Sequence, residues 1–165
     1  MTLSPVLLAT TTAAQGGPAL TPLQDQVRHA LVILPYYSVF DNLEYQVEGT
    51  KVVLSGQVMR PSLKKEAENV VKRVAGINSV ENNIEVLPVS SFDDRIRIAT
   101  YRAIYRNLGF AKYAIQPVPP IHIIVKNGNV TLVGLVTRQA DKTVANISAN
   151  TVSGVFSVNN QLQVA

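Results

Sequence analysis

The fold of this chain is decided by the sequence VVLSGQV at residues 52–58, which recurs as VTLVGLV at residues 130–136. Alternating apolar positions in both stretches predict a β-strand with one buried face. At the same offset of 78, residues 44–87 align with residues 122–165 without a gap and share 14 identities in 44 positions. The identical residues of the first copy are Val47, Val52, Leu54, Gly56, Val58, Arg60, Lys64, Ala67, Val74, Gly76, Ser79, Val80, Asn82 and Val86. The sequence therefore predicts a tandem repeat of one small module.

In each copy the sequence pattern predicts the order helix, strand, strand, helix, strand. The first helix begins at Thr21-Pro22-Leu23-Gln24, a capping box with proline at the first helical position, and Pro35 ends it. In the second copy, Ser91-Phe92-Asp93-Asp94 is a looser signal of the same kind, and Asn127-Gly128 predicts a hairpin turn. The fold class is thus α+β: two tandem αββαβ modules, residues 21–88 and 89–165, each a three-stranded mixed sheet with two helices packed on one face. The second copy carries four extra residues before its first strand, which the proline-rich stretch 116–120 accounts for.

Four glycines repeat between the copies, and we expect all four to be structural. Gly56 and Gly134 lie inside predicted strands, where glycine marks a bulge or a close approach. We favour close packing of a helix on the sheet over an approach by a ligand. Gly76 and Gly154 follow the second helix of each copy and are predicted to cap it.

The repeated pattern resembles the BON domain family, named after bacterial OsmY and nodulation proteins. The resemblance lies in Val52-x-Leu54-Ser55-Gly56-x-Val58, the helix with Ala67 and Val74, and Gly76-Ile77-x-x-Val80-x-Asn82-x-Ile84-x-Val86. It recurs in Val130-x-Leu132-x-Gly134-x-Val136 and Gly154-Val155-x-x-Val158-x-Asn160-x-Leu162-x-Val164. This resemblance implies an envelope protein, usually periplasmic, that binds phospholipid or stabilises membranes, and it carries no catalytic residues.

The second copy departs from the pattern in its second helix. Leu63, Val70 and Val71 of the first copy correspond to Asp141, Ser148 and Ala149, and Ser55 corresponds to Val133. Either this helix face buries less apolar volume, or it meets something other than its own sheet.

The N-terminal residues 1–20 are unlike the rest of the chain. A short apolar run, residues 3–9, precedes Thr12 and Ala14, which occupy the −3 and −1 positions of a small-residue cleavage site before Gln15. A basic region ahead of the run is missing. We expect a secretory signal whose start was placed too late, and hence a periplasmic or secreted protein; a disordered Ala/Thr-rich tail is the alternative.

Catalytic and metal-binding residues are not indicated. The chain has no cysteine, which excludes disulfides, thiolate metal sites and a lipid-modified cysteine. The two histidines, His29 and His122, lack a converging set of acidic residues. We therefore expect no enzyme activity, no metal and no cofactor, and no apolar run is long enough for a transmembrane helix.

Charge separates the two copies. Residues 21–88 hold seven Lys or Arg against eight Asp or Glu, net −1, whereas residues 89–165 hold eight against three, net +5. Arg95, Arg102 and Arg106 follow one stripe of the predicted helix, and Ile98, Tyr101, Tyr105 and Leu108 form the neighbouring apolar stripe. We expect these arginines, together with Tyr101, Tyr105, Phe110, Lys112 and Tyr113, to bind lipid phosphates, with the aromatic rings at headgroup depth. An ordinary solvated basic edge is the alternative.

The function hypothesis is a non-enzymatic envelope protein that binds anionic phospholipid surfaces, mainly through the second module. The alternative is an envelope protein–protein adaptor that uses exposed sheet edges and the helix at residues 141–152. Nucleic-acid binding is a weaker hypothesis and not expected, because neither a Gly-x-x-Gly loop nor an aromatic RNA-binding strand is present.

Overall fold

The computed structural model describes residues 21–165, so the signal-like segment 1–20 lies outside the described residues. The first module contains α1 (Pro22–Val32), β1 (Asn42–Glu48), β2 (Lys51–Val58), α2 (Pro61–Lys72), β3 (Ser79–Asn82) and β4 (Glu85–Val86). The second contains α3 (Ser91–Tyr105), a 3-10 turn (Leu108–Phe110), α4 (Ala111–Ala114), β5 (Ile121–Lys126), β6 (Asn129–Val136), α5 (Gln139–Asn150) and β7 (Ser157–Val164). Within residues 21–165, no helix has the length and apolar character required to cross a membrane.

Both sheets have the predicted mixed topology. In the first, β2 is central, pairing antiparallel with β1 and parallel with β3 and β4, which together form one interrupted third strand. In the second, β6 pairs antiparallel with β5 and parallel with β7. Because side chains alternate across a strand, β2 and β6 turn every second residue toward the helices and bury it. The two αββαβ modules predicted from the repeat are confirmed.

The repeat offset of 78 holds in three dimensions. The helix α2 corresponds to α5, and β2 corresponds to β6, at that offset without a shift. The side chain of Asn82 donates to the backbone oxygen of Lys64 at 3.0 Å, and Asn160 donates to that of Lys142 at 2.9 Å. Each asparagine thus ties its last strand to the preceding helix by the same bond, which explains why this residue repeats.

The strand glycines are required by the neighbouring strand rather than by a helix. Gly56 has φ +106°, and a Cβ there would lie 2.1 Å from the backbone oxygen of Asn42. Gly134 has φ +134°, and its Cβ would lie 1.8 Å from the backbone oxygen of Pro120. The interpretation as helix-on-sheet packing therefore needs correction, because the close approach is between two backbones of one sheet.

The ends of the helices differ in detail from the sequence prediction. The capping box at Thr21 is present, with Gln24 N–H donating to the Thr21 hydroxyl at 3.3 Å. The helix α2 ends at Lys72, so Gly76 lies in the turn that follows rather than at the cap, with φ +93°. Gly154 adopts φ +91° in the corresponding turn after α5. In the second module, Ser90 rather than Ser91 caps α3 by accepting from Asp93 N–H at 3.2 Å.

The two modules contact each other through the connector that precedes β1. The N–H of Ile123, on the outer edge of β5, donates to the Val39 oxygen at 2.8 Å. The Nδ1 atom of His122 lies 2.6 Å from the backbone carbonyl oxygen of Asp41, and the Tyr37 ring stacks on the imidazole. Burial lowers the pKa of His122 and favours the neutral ring. The connector therefore covers part of an edge that β5 would otherwise expose.

Candidate functional site

Helix α3 positions the predicted arginines, and its own packing decides which side they occupy. The residues Ile96, Thr100 and Ile104 are buried, at the helical spacing of four that places them on one side. The predicted apolar stripe is distinct from this buried side of α3 and is largely accessible. Ile98 is 47% exposed and Leu108 is 94% exposed, whereas Tyr101 and Tyr105 are only half-buried at the flank.

The arginines Arg95, Arg102 and Arg106 lie on the solvent side of α3, and all three are exposed. At 3.6 residues per turn, they point within about 40° of one another. Ala99 and Ala103 lie between them, and a shallow depression is lined by these two alanines with Arg102 and Arg106. Short side chains at these positions leave the guanidinium groups accessible. We name Arg95, Arg102 and Arg106 the arginine face.

The other cations of the second module are largely engaged by acids. Arg97 is buried, forms an ion pair with Asp94 at 2.6 Å and donates to the Val125 oxygen at 2.7 Å. Lys126 pairs with Glu85 of the first module. Among residues 21–165, no acidic side chain forms an ion pair with any member of the arginine face. Lys142 on α5 also forms no ion pair within residues 21–165, so three of the four unpaired cations of the module lie on one side of α3.

Lys112, another predicted lipid contact, is hydrogen-bonded to other side chains of the second module. Its ammonium group donates to Asp141 at 3.1 Å and to the Thr137 hydroxyl at 2.7 Å. The hydrogen bond to Asp141 raises the pKa of Lys112. Much of its charge is thus offset within the molecule, although the side chain remains exposed.

The predicted aromatic contacts divide into two groups. Phe110 is 1% exposed and Tyr113 is 4% exposed, so both belong to the core and neither reaches a bound surface. Tyr105 donates its hydroxyl to the Ile121 oxygen at 2.9 Å, and burial raises its pKa. Tyr101 packs against the Tyr105 ring and edge-on against Phe40 of the first module, and is only partly covered. Of the four aromatics, Tyr101 is the best placed for external contact.

Exposed apolar residues accompany the arginine face, and one of them, Phe92, was not predicted as a contact. Ile98 and Tyr101 line a groove with Arg102, Phe40 and Pro119. Phe92 is 38% exposed in the first turn of α3, with Phe156 beside it at a ring separation of 6.3 Å. The position of Phe92 beside the arginine face could have been predicted from the sequence, because residues three apart, such as Phe92 and Arg95, lie on the same side of a helix.

Asp141 is the buried acid that takes the place of a leucine. It is 3% exposed and accepts hydrogen bonds from Arg138 at 2.8 Å and from the Tyr113 hydroxyl at 2.7 Å. The hydrogen bond from Arg138, with those from Tyr113 and Lys112, lowers the pKa of Asp141 despite its burial. Phe110 and Tyr113 join the same core as Ala145 and Ala149. The weakened helix face therefore meets the segment 108–114 at Asp141, whose carboxylate accepts from the Tyr113 hydroxyl.

Between α3 and the proline-rich stretch 116–120, the structure builds a 3-10 turn and α4.

Asp93 is a second buried acid whose position was not predicted as functional. Its carboxylate accepts the backbone N–H groups of Asn127 at 2.9 Å and Gly128 at 2.8 Å. Asn127 and Gly128 have φ +51° and +77°, as the hairpin turn requires. Asp93 thus fastens the start of α3 to the β5–β6 turn and stabilises the arginine face indirectly.

Clusters of metal-ligating residues do not occur within residues 21–165. The arrangement around α3 is that of an accessible cationic surface with apolar neighbours.

Comparison with known proteins identifies the fold family. The family model described as "BON domain" matches residues 20–88 and 102–165. BON domains are membrane- and phospholipid-associated binding modules and do not form an enzyme family. A comparison with curated proteins gave no match.

Two solved structures of CdsD, a structural protein of the type III secretion system of Chlamydia trachomatis, show a distant likeness. The C-terminal domain is 13% identical with a TM-score of 0.32, over 90% of this chain and all of that one. The other CdsD structure is also 13% identical, with a TM-score of 0.34, over 86% of this chain and 92% of that one. No functional conclusion follows from similarity at this level.

Proposed function

Because this chain belongs to the BON domain family, we propose that it is a non-enzymatic envelope protein that binds anionic phospholipid surfaces through helix α3 of its second module. The arginine face supplies the charge, and the exposed apolar residues beside it supply contact with the interfacial region of the bilayer. The first module serves mainly as a structural partner.

The observation that carries this proposal is the location of the unpaired arginines. Ion pairs engage Arg97, Lys126 and Arg138 of the second module, whereas Arg95, Arg102 and Arg106 share one exposed side. Arginine suits phosphate because its planar group donates several hydrogen bonds in a fixed geometry. Within residues 21–165 these arginines are three of the four unpaired cations of the module, with Lys142 on α5 as the fourth, and a solvated helix edge would not require this concentration.

The expected affinity is modest. A Lys or Arg held near an anionic membrane contributes about 1 kcal/mol, so the arginine face supplies about 3 kcal/mol. Ile98 and Tyr101 lie next to Arg102, and Phe92 lies next to Arg95 along the helix. Apolar burial of these side chains would add to the electrostatic contribution. Phe110 and Tyr113 do not enter the proposed surface, because they are buried.

The test is co-sedimentation of the full chain with vesicles of phosphatidylglycerol and phosphatidylcholine, and with phosphatidylcholine alone. We expect binding only to the anionic vesicles, and weaker binding at high salt because the Debye length falls to about 3 Å at 1 M. The variant Arg95→Glu/Arg102→Glu/Arg106→Glu should lose binding while its circular dichroism spectrum is unchanged.

A matched control carries the same change of charge in the first module. The variant Lys64→Glu/Lys65→Glu/Arg73→Glu alters the net charge of the protein equally but leaves α3 intact. It should retain binding. Equal loss in both triple variants would mean that net charge rather than the arginine face governs the association, and the proposal would then fail.

We also propose an envelope location, periplasmic or secreted, for which the BON family membership and the signal-like sequence of residues 1–20 are the support. Fractionation of cells that express the complete upstream reading frame tests it. The expected product lacks the signal-like segment and is recovered outside the cytoplasm. An unprocessed cytoplasmic product would overturn the location and reopen nucleic-acid binding.

A further inference from the structure

The outer edge of β1 is an open sheet edge beside an apolar groove. The β1–β2 hairpin closes with Glu48 opposite Lys51 as a hydrogen-bonded pair, and such pairs alternate along an antiparallel ladder, so Leu43 directs its peptide group away from β2. Alternation along the strand gives Tyr45 and Val47 the same orientation. Within residues 21–165, no hydrogen bond satisfies these outward backbone groups of Tyr45 and Val47. This edge can therefore accept another strand.

Both modules form the groove that runs along this edge. Leu31 of α1, Tyr37 of the connector and Tyr45 of β1 line one side, and Leu135 and Gln163 of the second module line the other. The groove has a volume of about 570 Å³. Leu135 is 50% exposed on the face of its sheet that is turned away from the helices. The second module thus supplies a wall that neither the strand nor α1 provides.

A single cation lies in this groove. Arg28 of α1 is exposed and lines the groove together with Tyr45. Among residues 21–165, Arg28 forms no ion pair with an acidic side chain. An occupant that places a carboxylate here gains a charge-assisted hydrogen bond.

An edge alone gives main-chain hydrogen bonds, whereas pockets for alternate side chains provide selectivity. At β1 the open edge and the apolar groove occur together.

We propose that this groove binds an extended peptide segment of a partner protein, which adds to β1 as an antiparallel or parallel strand, inserts apolar side chains between the modules and presents a carboxylate to Arg28. The peptide's backbone pairs with the free groups of Tyr45 and Val47. Alternate side chains contact Leu31 and Leu135. This site is separate from the arginine face on α3.

The probe is an array of synthetic hexapeptides with Val, Leu or Phe at every second position and Ser or Thr between them. Each peptide is made with a free and with an amidated C-terminus. The full chain should bind a subset of the free-acid peptides and bind their amidated counterparts about tenfold more weakly, the factor expected for losing one charge-assisted hydrogen bond. Absence of binding across the array would overturn the proposal.

Two pairs of variants locate the binding. Leu135→Glu places a negative charge against the proposed carboxylate, and Ile147→Glu makes the same change on α5 at a similarly exposed residue outside the groove. Arg28→Gln removes the cation, and Arg73→Gln is its control. Leu135→Glu and Arg28→Gln should weaken binding to the selected free-acid peptides about tenfold, while both controls bind as the unaltered chain does. Equal loss in a control would overturn the assignment.

Two further readouts identify competing occupants. Sedimentation velocity of the full chain reports a second copy; a dimer that Leu135→Glu dissociates would mean that this chain itself fills the groove, and would overturn the proposal. Vesicle binding of Leu135→Glu should be unchanged, because the groove does not include the arginine face. The peptide proposal and the lipid proposal therefore fail independently.

Discussion

Leu63 and Asp141 occupy the same position of the repeat, and both are buried at 1% and 3% exposure. The leucine packs in an apolar cluster with Val27, Leu31 and Val71. The aspartate instead binds Tyr113 and Arg138. The same position of the repeat can therefore hold either a buried apolar side chain or a buried charged one, provided that a neighbouring segment supplies hydrogen-bond donors to the charge.

The largest expected loss of stability comes from replacing the strand glycine that both modules contain. Gly56→Ala and Gly134→Ala should each destabilise the protein by about 4 kcal/mol, because a Cβ would collide with the adjacent strand and the positive φ is strained. Urea unfolding measures this. Gly109→Ala is the control, since its Cβ would meet open space, and it should change stability by less than about 0.5 kcal/mol. Unchanged unfolding in Gly56→Ala would contradict the close approach.

The next largest effect compares the loss of stability when Leu63 or Asp141, which occupy the same position of the repeat, is truncated to alanine. Leu63→Ala should cost about 3 kcal/mol through the cavity left in the apolar cluster. Asp141→Ala should cost about 2 kcal/mol, because it leaves the Tyr113 hydroxyl without its acceptor while the partly exposed cations regain water. Chemical denaturation at neutral pH gives both values. A larger loss in Asp141→Ala than in Leu63→Ala would reverse the comparison.

A smaller effect measures how tightly Asp141 is coupled to the inserted segment. Tyr113→Phe removes the hydroxyl that donates to Asp141, accepts from the Thr137 N–H and lies 3.0 Å from the Thr137 hydroxyl, and should cost about 1.5 kcal/mol. In Asp141→Ala/Tyr113→Phe the loss should be less than the sum of the single losses, because both changes remove the same contact. Strict additivity in the double-mutant cycle would show that the 2.7 Å contact contributes nothing.

The smallest effect is a dependence of stability on pH. The folded-state pKa of Asp141 is lowered, chiefly by Arg138, relative to about 3.9 in the unfolded chain. Ionised Asp141 therefore stabilises the protein fully above that unfolded value, and the contribution is lost as pH falls toward the folded pKa. The difference in unfolding free energy between the unaltered chain and Asp141→Asn should shrink between neutral pH and pH 2. A constant difference would show that the charge of Asp141 is not stabilising.

The internal repeat made the order of helices and strands in each module predictable from the sequence. The offset of 78, the capping box at Thr21 and the hairpin at Asn127-Gly128 depend on residues close together in the chain, and each is present in the structure. The positions of the arginines on one helix side followed from spacing alone. Whether these arginines bind lipid stays a prediction.

Other features depended on which segments pack together. Phe110 and Tyr113 were predicted at the surface, yet they are buried against the helix whose own side chains are small. The guanidinium group of Arg97 is buried and reaches the Val125 oxygen, which lies 28 residues further along the chain. Neither position has a local sequence signal, because both depend on a partner distant in the chain.

The sequence by itself determined the module, its repetition, the order of its helices and strands, and the side of α3 on which the arginines lie, because periodicity and turn chemistry act over a few residues. Only the tertiary structure decided which cations are left unpaired, which aromatics are buried, and that the β1 edge borders a groove with a wall from the second module. These depend on contacts between residues far apart in the chain, and their energies are set by the burial and hydrogen bonding that such contacts create.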